Sequence, residues 1–300
     1  MKRTPSNHWH VFIEAYTENL DEAISRNLVS TYYENEDNLE AIEEPDFSVI
    51  YKKKDYIKEL NSSFFRCDEF KKDHDGLHIL FSGDSVTFGE GLLIDEVWSH
   101  RVYEEISKGT KTSGYFNLAV PGTGTPMHIF NMFKYFKKYG NPDYIFFNMS
   151  EMHRFYDYLP DIEMFTHKIY SNLNMPNLED MEKDSWVNTL RLLNFNLYFM
   201  LEQYCRSNNI KLFSFSWDMT HSEWNHKAAT NILMDSWGFE TFHNVDTQEN
   251  MHELYKLETE EFKDHPYART ARDNAHQGVA VHKQWSNIVM DWFRSLDKNA

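Results

Sequence analysis

Four short apolar runs, separated by helical segments, constrain the fold of this chain more than any other feature of its sequence. The runs cover residues 77–82, 115–120, 144–149 and 210–217, and each is continuous rather than alternating. Continuous apolar strands are typical of sheets that helices cover on both faces. Helical patterns over 97–107 and 125–139 separate the first three runs, and Gly140 with Pro142 ends the second helix. The order predicts an α/β fold with a parallel sheet.

Charge and apolar content narrow the class of protein. The chain has 300 residues, 41% of them hydrophobic, so it can build one large core or a core with an appended subdomain. Its formal net charge of -17 argues against a nucleic-acid partner, since such surfaces need clustered lysine and arginine.

Three further features of the sequence concern the cellular compartment of the protein. The first 14 residues lack the apolar run of a signal peptide, and no segment approaches the roughly 20 apolar residues of a membrane span. Cys67 and Cys205 lie too far apart in sequence to form the dense disulfide framework of small secreted domains. We therefore expect a cytoplasmic protein without a membrane partner.

The domain organisation follows from changes in composition. Residues 1–75 are predicted to be an N-terminal extension, in which Trp9, Phe12 and Tyr16 have the spacing of an amphipathic helix. Residues 76–300 form the main domain, with insertions near 153–184 and 219–262. Insertions on an α/β scaffold usually form lids or binding surfaces, so these two are the expected sources of specificity.

Ser85 is the candidate nucleophile. It lies in the segment 81–89, FSGDSVTFG, where the first predicted strand ends and a turn begins. This placement predicts a position at the carboxyl edge of the sheet, where open α/β folds bind ligands. A lone serine after a strand is more often a helix cap than a nucleophile, so the position alone does not assign a role.

Asp273 and His276 are the candidate partners of that serine. They lie three apart in the segment 272–278, RDNAHQG, just before an apolar helical pattern. A serine hydroxyl becomes a useful nucleophile when an imidazole takes its proton, and a carboxylate orients that imidazole and stabilises its cation.

Together these segments resemble the SGNH/GDSL hydrolases, which carry GDS near the start of the domain and DxxH near its end. Here the motifs are residues 83–85 and 273–276, and the segment 117–124, NLAVPGTG, resembles the second block of the family. The resemblance implies a three-layer α/β/α sandwich with a parallel, flavodoxin-like sheet. It also implies a Ser85, His276 and Asp273 triad and an oxyanion hole formed by the backbone N–H groups of Ser85 and Gly122.

By the same resemblance the chain is a serine esterase or deacetylase. Its substrate would be an acyl or O-acetyl ester, on a carbohydrate or lipid, and it would need no cofactor. The absence of GxSxG around Ser85 separates it from the ordinary α/β-hydrolases.

The third block departs from the family, which normally places an oxyanion-binding asparagine at the end of the third strand. The aligned residue here is Met152, whose side chain cannot donate a hydrogen bond. Losing one oxyanion donor costs about 2.7–4 kcal/mol of transition-state stabilisation. Asn148, His153 and Arg154 are the candidate substitutes, and the sequence leaves the choice among them open.

Two other functions are compatible with the same sequence. A catalytically weak SGNH-like domain could serve as a binding or structural module in a larger assembly, and an acyltransferase could use the same fold. Fifteen histidines raise the question of a metal site, but spacings such as His221 and His226 do not match a helical HExxH motif, so no metal is expected.

Overall fold

The structure is a computed structural model of the chain. It describes residues 60–63, 65–121, 123–150, 154–159, 164–169, 180–216, 262, 265, 267–271 and 276–297. Its strands are β1 (Ile79–Ser82), β2 (Phe116–Asn117), β3 (Tyr144–Met149), β4 (Arg154–Leu159), β5 (Met164–Ile169) and β6 (Lys211–Ser216). Its helices are α1 (Ser85–Phe88), α2 (Trp98–Gly109), α3 (Thr125–Tyr139), α4 (Asp180–Ser207) and α5 (Val279–Asp297), and a 3₁₀ turn spans Ile94–Glu96.

A four-stranded parallel sheet lies at the centre of the domain, in the order β2-β1-β3-β6. Helices connect its strands, because parallel strands require a crossover between the end of one and the start of the next. The α/β class predicted from the apolar runs is therefore confirmed.

Successive side chains of each central strand enter different hydrophobic clusters. In β1, Ile79 and Phe81 belong to a cluster that contains Trp98 of α2 and Trp285 of α5. Leu80 belongs to a second cluster, which contains residues of α3 and α4. Strand side chains alternate between the two faces of a sheet, so every position of β1 is buried. This explains why the strand sequences are continuously apolar.

The predicted boundaries match the structure best where turn residues mark them. Strand β3 and helix α3 have the predicted ends, whereas β1 and β6 are shorter than predicted. Strand β2 pairs over only two residues of the predicted 115–120. Just beyond it, the N–H of Ala119 donates to the side-chain oxygen of Asn117. Leu118 and Val120 nevertheless donate to the carbonyls of Phe81 and Gly83.

The described end of the N-terminal extension is part of the packed domain. Phe65 is 1% exposed and belongs to the cluster with α3 and α4. Trp9, Phe12 and Tyr16 lie outside the described residues.

The two predicted insertions differ in how much the structure shows. In the first, β4 and β5 form an antiparallel pair, and α4 begins at Asp180 before the predicted end of that insertion. Residues 217–261, which include most of the second insertion, lie outside the described residues. Within the described part of the chain, no helix combines the length and apolar character that crossing a bilayer requires.

Candidate active site

Ser85 lies at the point where the order of the sheet reverses. Strand β1 is central, with β2 on one side and β3 on the other, so the connections that follow β1 and β2 lead to opposite sides. Open parallel sheets form a crevice at such a switch point, beyond the carboxyl ends of the strands. Ser85 is the first residue of α1, three residues after the end of β1, and it is 5% exposed.

The turn that presents Ser85 is built from its immediate neighbours. Asp84 caps α1, since its carboxylate accepts the N–H of Val86 at 3.1 Å. A Cβ added to Gly83 would lie 2.2 Å from Thr87 Oγ1 and 2.9 Å from the carbonyl oxygen of Asn148. Only glycine therefore lets α1 sit this close to the end of the sheet.

His276 is brought to Ser85 from near the other end of the chain. Its Nε2 lies 2.9 Å from Ser85 Oγ, within hydrogen-bond distance. The Ser85–His276 contact is the one that the two sequence motifs predict. In this geometry the imidazole can accept the hydroxyl proton, as general-base activation of a serine requires.

The segment around His276 is held by backbone bonds to the preceding loop. The N–H of Ala271 donates to the carbonyl of His276 at 2.9 Å, and Gly278 N–H donates to the carbonyl of Arg269 at 2.8 Å. A Cβ on Gly278 would lie 2.3 Å from the carbonyl oxygen of Tyr267, so the helix α5 that follows can begin here only after glycine. Asp273 lies outside the described residues.

Glu90 brings a carboxylate to the same imidazole. Its Oε2 lies 3.5 Å from His276 Nε2, the nitrogen that faces Ser85, and both side chains are about one quarter exposed. No sequence motif marks Glu90 as a site residue. Its position five residues after the candidate nucleophile, in the loop after a one-turn helix, is the signal that could have indicated it.

Arg66 fixes the loop that carries Glu90. This arginine, from the described end of the N-terminal extension, is 1% exposed and donates to three carbonyl oxygens of the loop. The acceptors are Phe88 at 3.1 Å, Gly89 at 2.8 Å and Leu92 at 2.9 Å. Two of these carbonyls lie at the end of α1, where a helix leaves acceptors without intrahelical donors. The sequence carries no local signal for this role, because the bonds span 22 to 26 residues.

The segment 117–124 is bonded to the end of β1, although Gly122 itself lies outside the described residues. Thr123 Oγ1 donates to the carbonyl of Val120 at 2.7 Å and lies 2.6 Å from His128 Nε2. A hydroxyl has one proton to donate, so His128 Nε2 carries the proton of the second bond. Val120 N–H in turn donates to Gly83 at 3.0 Å, which joins this turn to the end of β1.

Asn148 carries a buried side-chain amide near the carboxyl end of β3. It is fully buried in β3, and neither its Nδ2 nor its Oδ1 has a hydrogen-bond partner. Native proteins rarely leave a buried amide unsatisfied, and such groups often belong to functional sites or to water sites. The register Ser82↔Phe147 makes Asn148 the neighbour of Gly83, two residues before Ser85.

The structure gives no side-chain placement for the other two candidates for the third oxyanion donor. His153 lies outside the described residues, and Arg154 begins strand β4.

The cysteines are poor alternative nucleophiles. Cys67 and Cys205 are both free thiols. Burial raises the pKa of Cys67 far above its ordinary value and that of Cys205 to about 12, so neither forms a thiolate at neutral pH. Among the described residues, no group of three or more histidine, cysteine, aspartate or glutamate side chains has the arrangement of a metal site.

No protein-family model matches this chain, and no curated protein matches its sequence.

Proposed function

We propose that the protein is a serine ester hydrolase of the SGNH/GDSL type. The observation that carries this proposal is the 2.9 Å contact between Ser85 Oγ and His276 Nε2 at the switch point of a parallel sheet. The two residues come from the two motifs that resemble the family.

The proposed mechanism uses ordinary acyl-enzyme chemistry. His276 takes the Ser85 proton while Oγ attacks the ester carbonyl, and the backbone N–H groups of Ser85 and Gly122 receive the oxyanion. Asp273 orients His276. The protonated imidazole then gives its proton to the departing alcohol, and water releases the acyl group with His276 again as base.

We propose Asn148 as the third oxyanion donor, in place of the asparagine that the family carries where this chain has Met152. Its buried and unpartnered amide, next to Gly83 in the sheet, supports this choice over His153 and Arg154. The N–H groups of this amide would gain their acceptor only when a substrate oxyanion forms.

We also propose that the fold is a three-layer α/β/α sandwich with a flavodoxin-like sheet. The order β2-β1-β3-β6 and the two hydrophobic clusters, one with α2 and α5 and the other with α3 and α4, support it.

The proposed substrates are acyl or O-acetyl esters on a carbohydrate or lipid. The proposed compartment is the cytoplasm, which the two free thiols support.

Hydrolysis of p-nitrophenyl acetate and labelling by a fluorophosphonate probe test the function together. We expect wild-type turnover and labelling, and loss of both in Ser85→Ala. The control is Ser295→Ala, which removes an exposed hydroxyl from helix α5 and should leave both unchanged. A folded wild-type protein with neither turnover nor labelling would contradict the proposal and favour a binding or structural module.

A further inference from the structure

We propose that Glu90 is a further catalytic residue, a second carboxylate that stabilises protonated His276 during ester hydrolysis. This inference rests on the proposed function, since it assigns Glu90 a part in the same reaction.

The geometry places Glu90 on the reacting side of the imidazole. The distance of 3.5 Å joins Glu90 Oε2 to Nε2 of His276, the nitrogen that also lies 2.9 Å from Ser85 Oγ. In the triad arrangement the orienting carboxylate bonds to the other nitrogen, Nδ1. Glu90 thus adds to the role proposed for Asp273 and does not duplicate its position.

The stabilisation is specific to the steps in which charge is present on His276. Neutral imidazole has no net charge for the carboxylate to attract, so substrate binding gains little. Proton transfer from Ser85 makes the ring a cation, and an opposite charge 3.5 Å away then lowers its energy. An interaction that is stronger in the transition state than in the ground state raises kcat.

The loop that carries Glu90 is fixed before the reaction begins. The backbone N–H of Glu90 donates to the carbonyl of Ser85 at 3.0 Å. Arg66 donates to the carbonyls of Gly89 and Leu92, which lie on either side of Glu90. A charge that is already in place stabilises a transition state without a cost of reorganisation.

The proton balance needs no further group. The Ser85 proton moves to His276 Nε2 as the bond from Oγ to the carbonyl carbon forms. It moves from Nε2 to the alcohol oxygen as the ester C–O bond breaks. Glu90 remains ionised throughout and takes no proton.

The test compares Glu90→Gln and Glu90→Asp with wild type, using kcat and KM for p-nitrophenyl acetate and the rate of fluorophosphonate labelling. Glu104→Gln is the control, because Glu104 is exposed on helix α2 and its loss changes net charge equally. We expect Glu90→Gln to lower kcat by about tenfold with KM unchanged, since two charges this close attract appreciably even in water. The kcat of Glu90→Asp should lie between those of Glu90→Gln and wild type, and the kcat of Glu104→Gln should equal that of wild type.

Three outcomes are distinguishable. Wild-type kcat in Glu90→Gln would overturn the role of Glu90 and leave the proposed function intact. An equal loss of kcat in Glu104→Gln would also overturn it, because the effect would then come from net charge and not from the position of Glu90. A wild-type protein with neither turnover nor labelling would remove the proposed function and this role together.

Discussion

At the scale of single residues, the site combines groups that the sequence motifs reveal with groups that they do not. Ser85 and His276 lie in recognisable motifs and are in contact. Arg66 and Glu90 reach the site through contacts that exist only once the chain has folded. The motifs therefore predict the Ser85–His276 contact, whereas the residues around that contact are identified only from the structure.

Asn148 gives a prediction at this scale. Asn148→Leu should lower kcat by roughly 100- to 1000-fold, the usual effect of losing an oxyanion donor. The same change should leave the free energy of unfolding equal or higher, because it removes a buried amide without a partner and keeps a similar volume. Steady-state kinetics and urea denaturation measure the two effects.

The control for that change is Ser214→Ala in the neighbouring strand β6. Ser214 Oγ is also buried and unpartnered, but the proposed mechanism does not use it. Equal losses of kcat in the two variants, or wild-type kcat in Asn148→Leu, would contradict the assignment of Asn148.

At the scale of secondary-structure elements, sequence patterns predict an element well when one simple period governs it. Strand β3 is continuously apolar and helix α3 ends at Gly140 followed by Pro142, and both have the predicted bounds. Helix α4, with 28 residues, is absent from the prediction. Asn194 and Glu202 are fully buried in it, so polar residues interrupt the apolar face by which a helix is identified.

Arg66 gives a prediction at this scale, because it joins the extension to the end of α1. Arg66→Met should lower the free energy of unfolding by about 3–5 kcal/mol, since three buried carbonyls lose a charged donor. Arg66→Lys keeps the positive charge but has fewer hydrogen-bond donors, so it should lower the free energy of unfolding by less than Arg66→Met does. Guanidinium denaturation measures both.

The matched control is Arg294→Met. Arg294 is exposed and pairs with Glu105 on the surface, where an ion pair contributes at most about 1 kcal/mol. A loss in Arg66→Met no larger than the loss in Arg294→Met would show that the extension does not hold the α1 loop.

At the scale of the whole molecule, two buried histidines couple the stability of the fold to pH. Burial lowers the pKa of His78 and of His282 from 6.5 to about 3, with smaller contributions from His74 and Arg101, respectively. His282 Nδ1 accepts the N–H of Trp98 at 3.1 Å and so joins helices α5 and α2. That bond requires an unprotonated Nδ1.

The direction of the pH effect follows from proton binding. Between about pH 6.5 and pH 3 the unfolded chain binds a proton at each histidine and the native protein does not, so stability falls as pH falls. From pH 7 to pH 5 the expected loss is about 2 kcal/mol for each histidine. Denaturant titrations at the two pH values measure it.

A single substitution separates the contribution of His282 to this pH dependence from that of His78. His282→Asn keeps an acceptor near Nδ1 and cannot titrate, so the decrease between pH 7 and pH 5 should shrink by about 2 kcal/mol. The absolute stability at pH 7 should be lower, because the smaller side chain leaves a cavity. An unchanged pH dependence would show that His282 is not the buried titrating group.

The distance along the chain between Ser85 and His276 has a consequence for when the proposed activity would first appear during folding. The two are 191 residues apart in a chain of 300, so their contact closes a very large loop and forms only when the two distant segments have docked. Under the proposed mechanism, a chain in which this contact has not formed contains a serine without its general base. In a refolding sample, the time at which Ser85 becomes reactive toward a fluorophosphonate would therefore report when these two distant segments first come into contact.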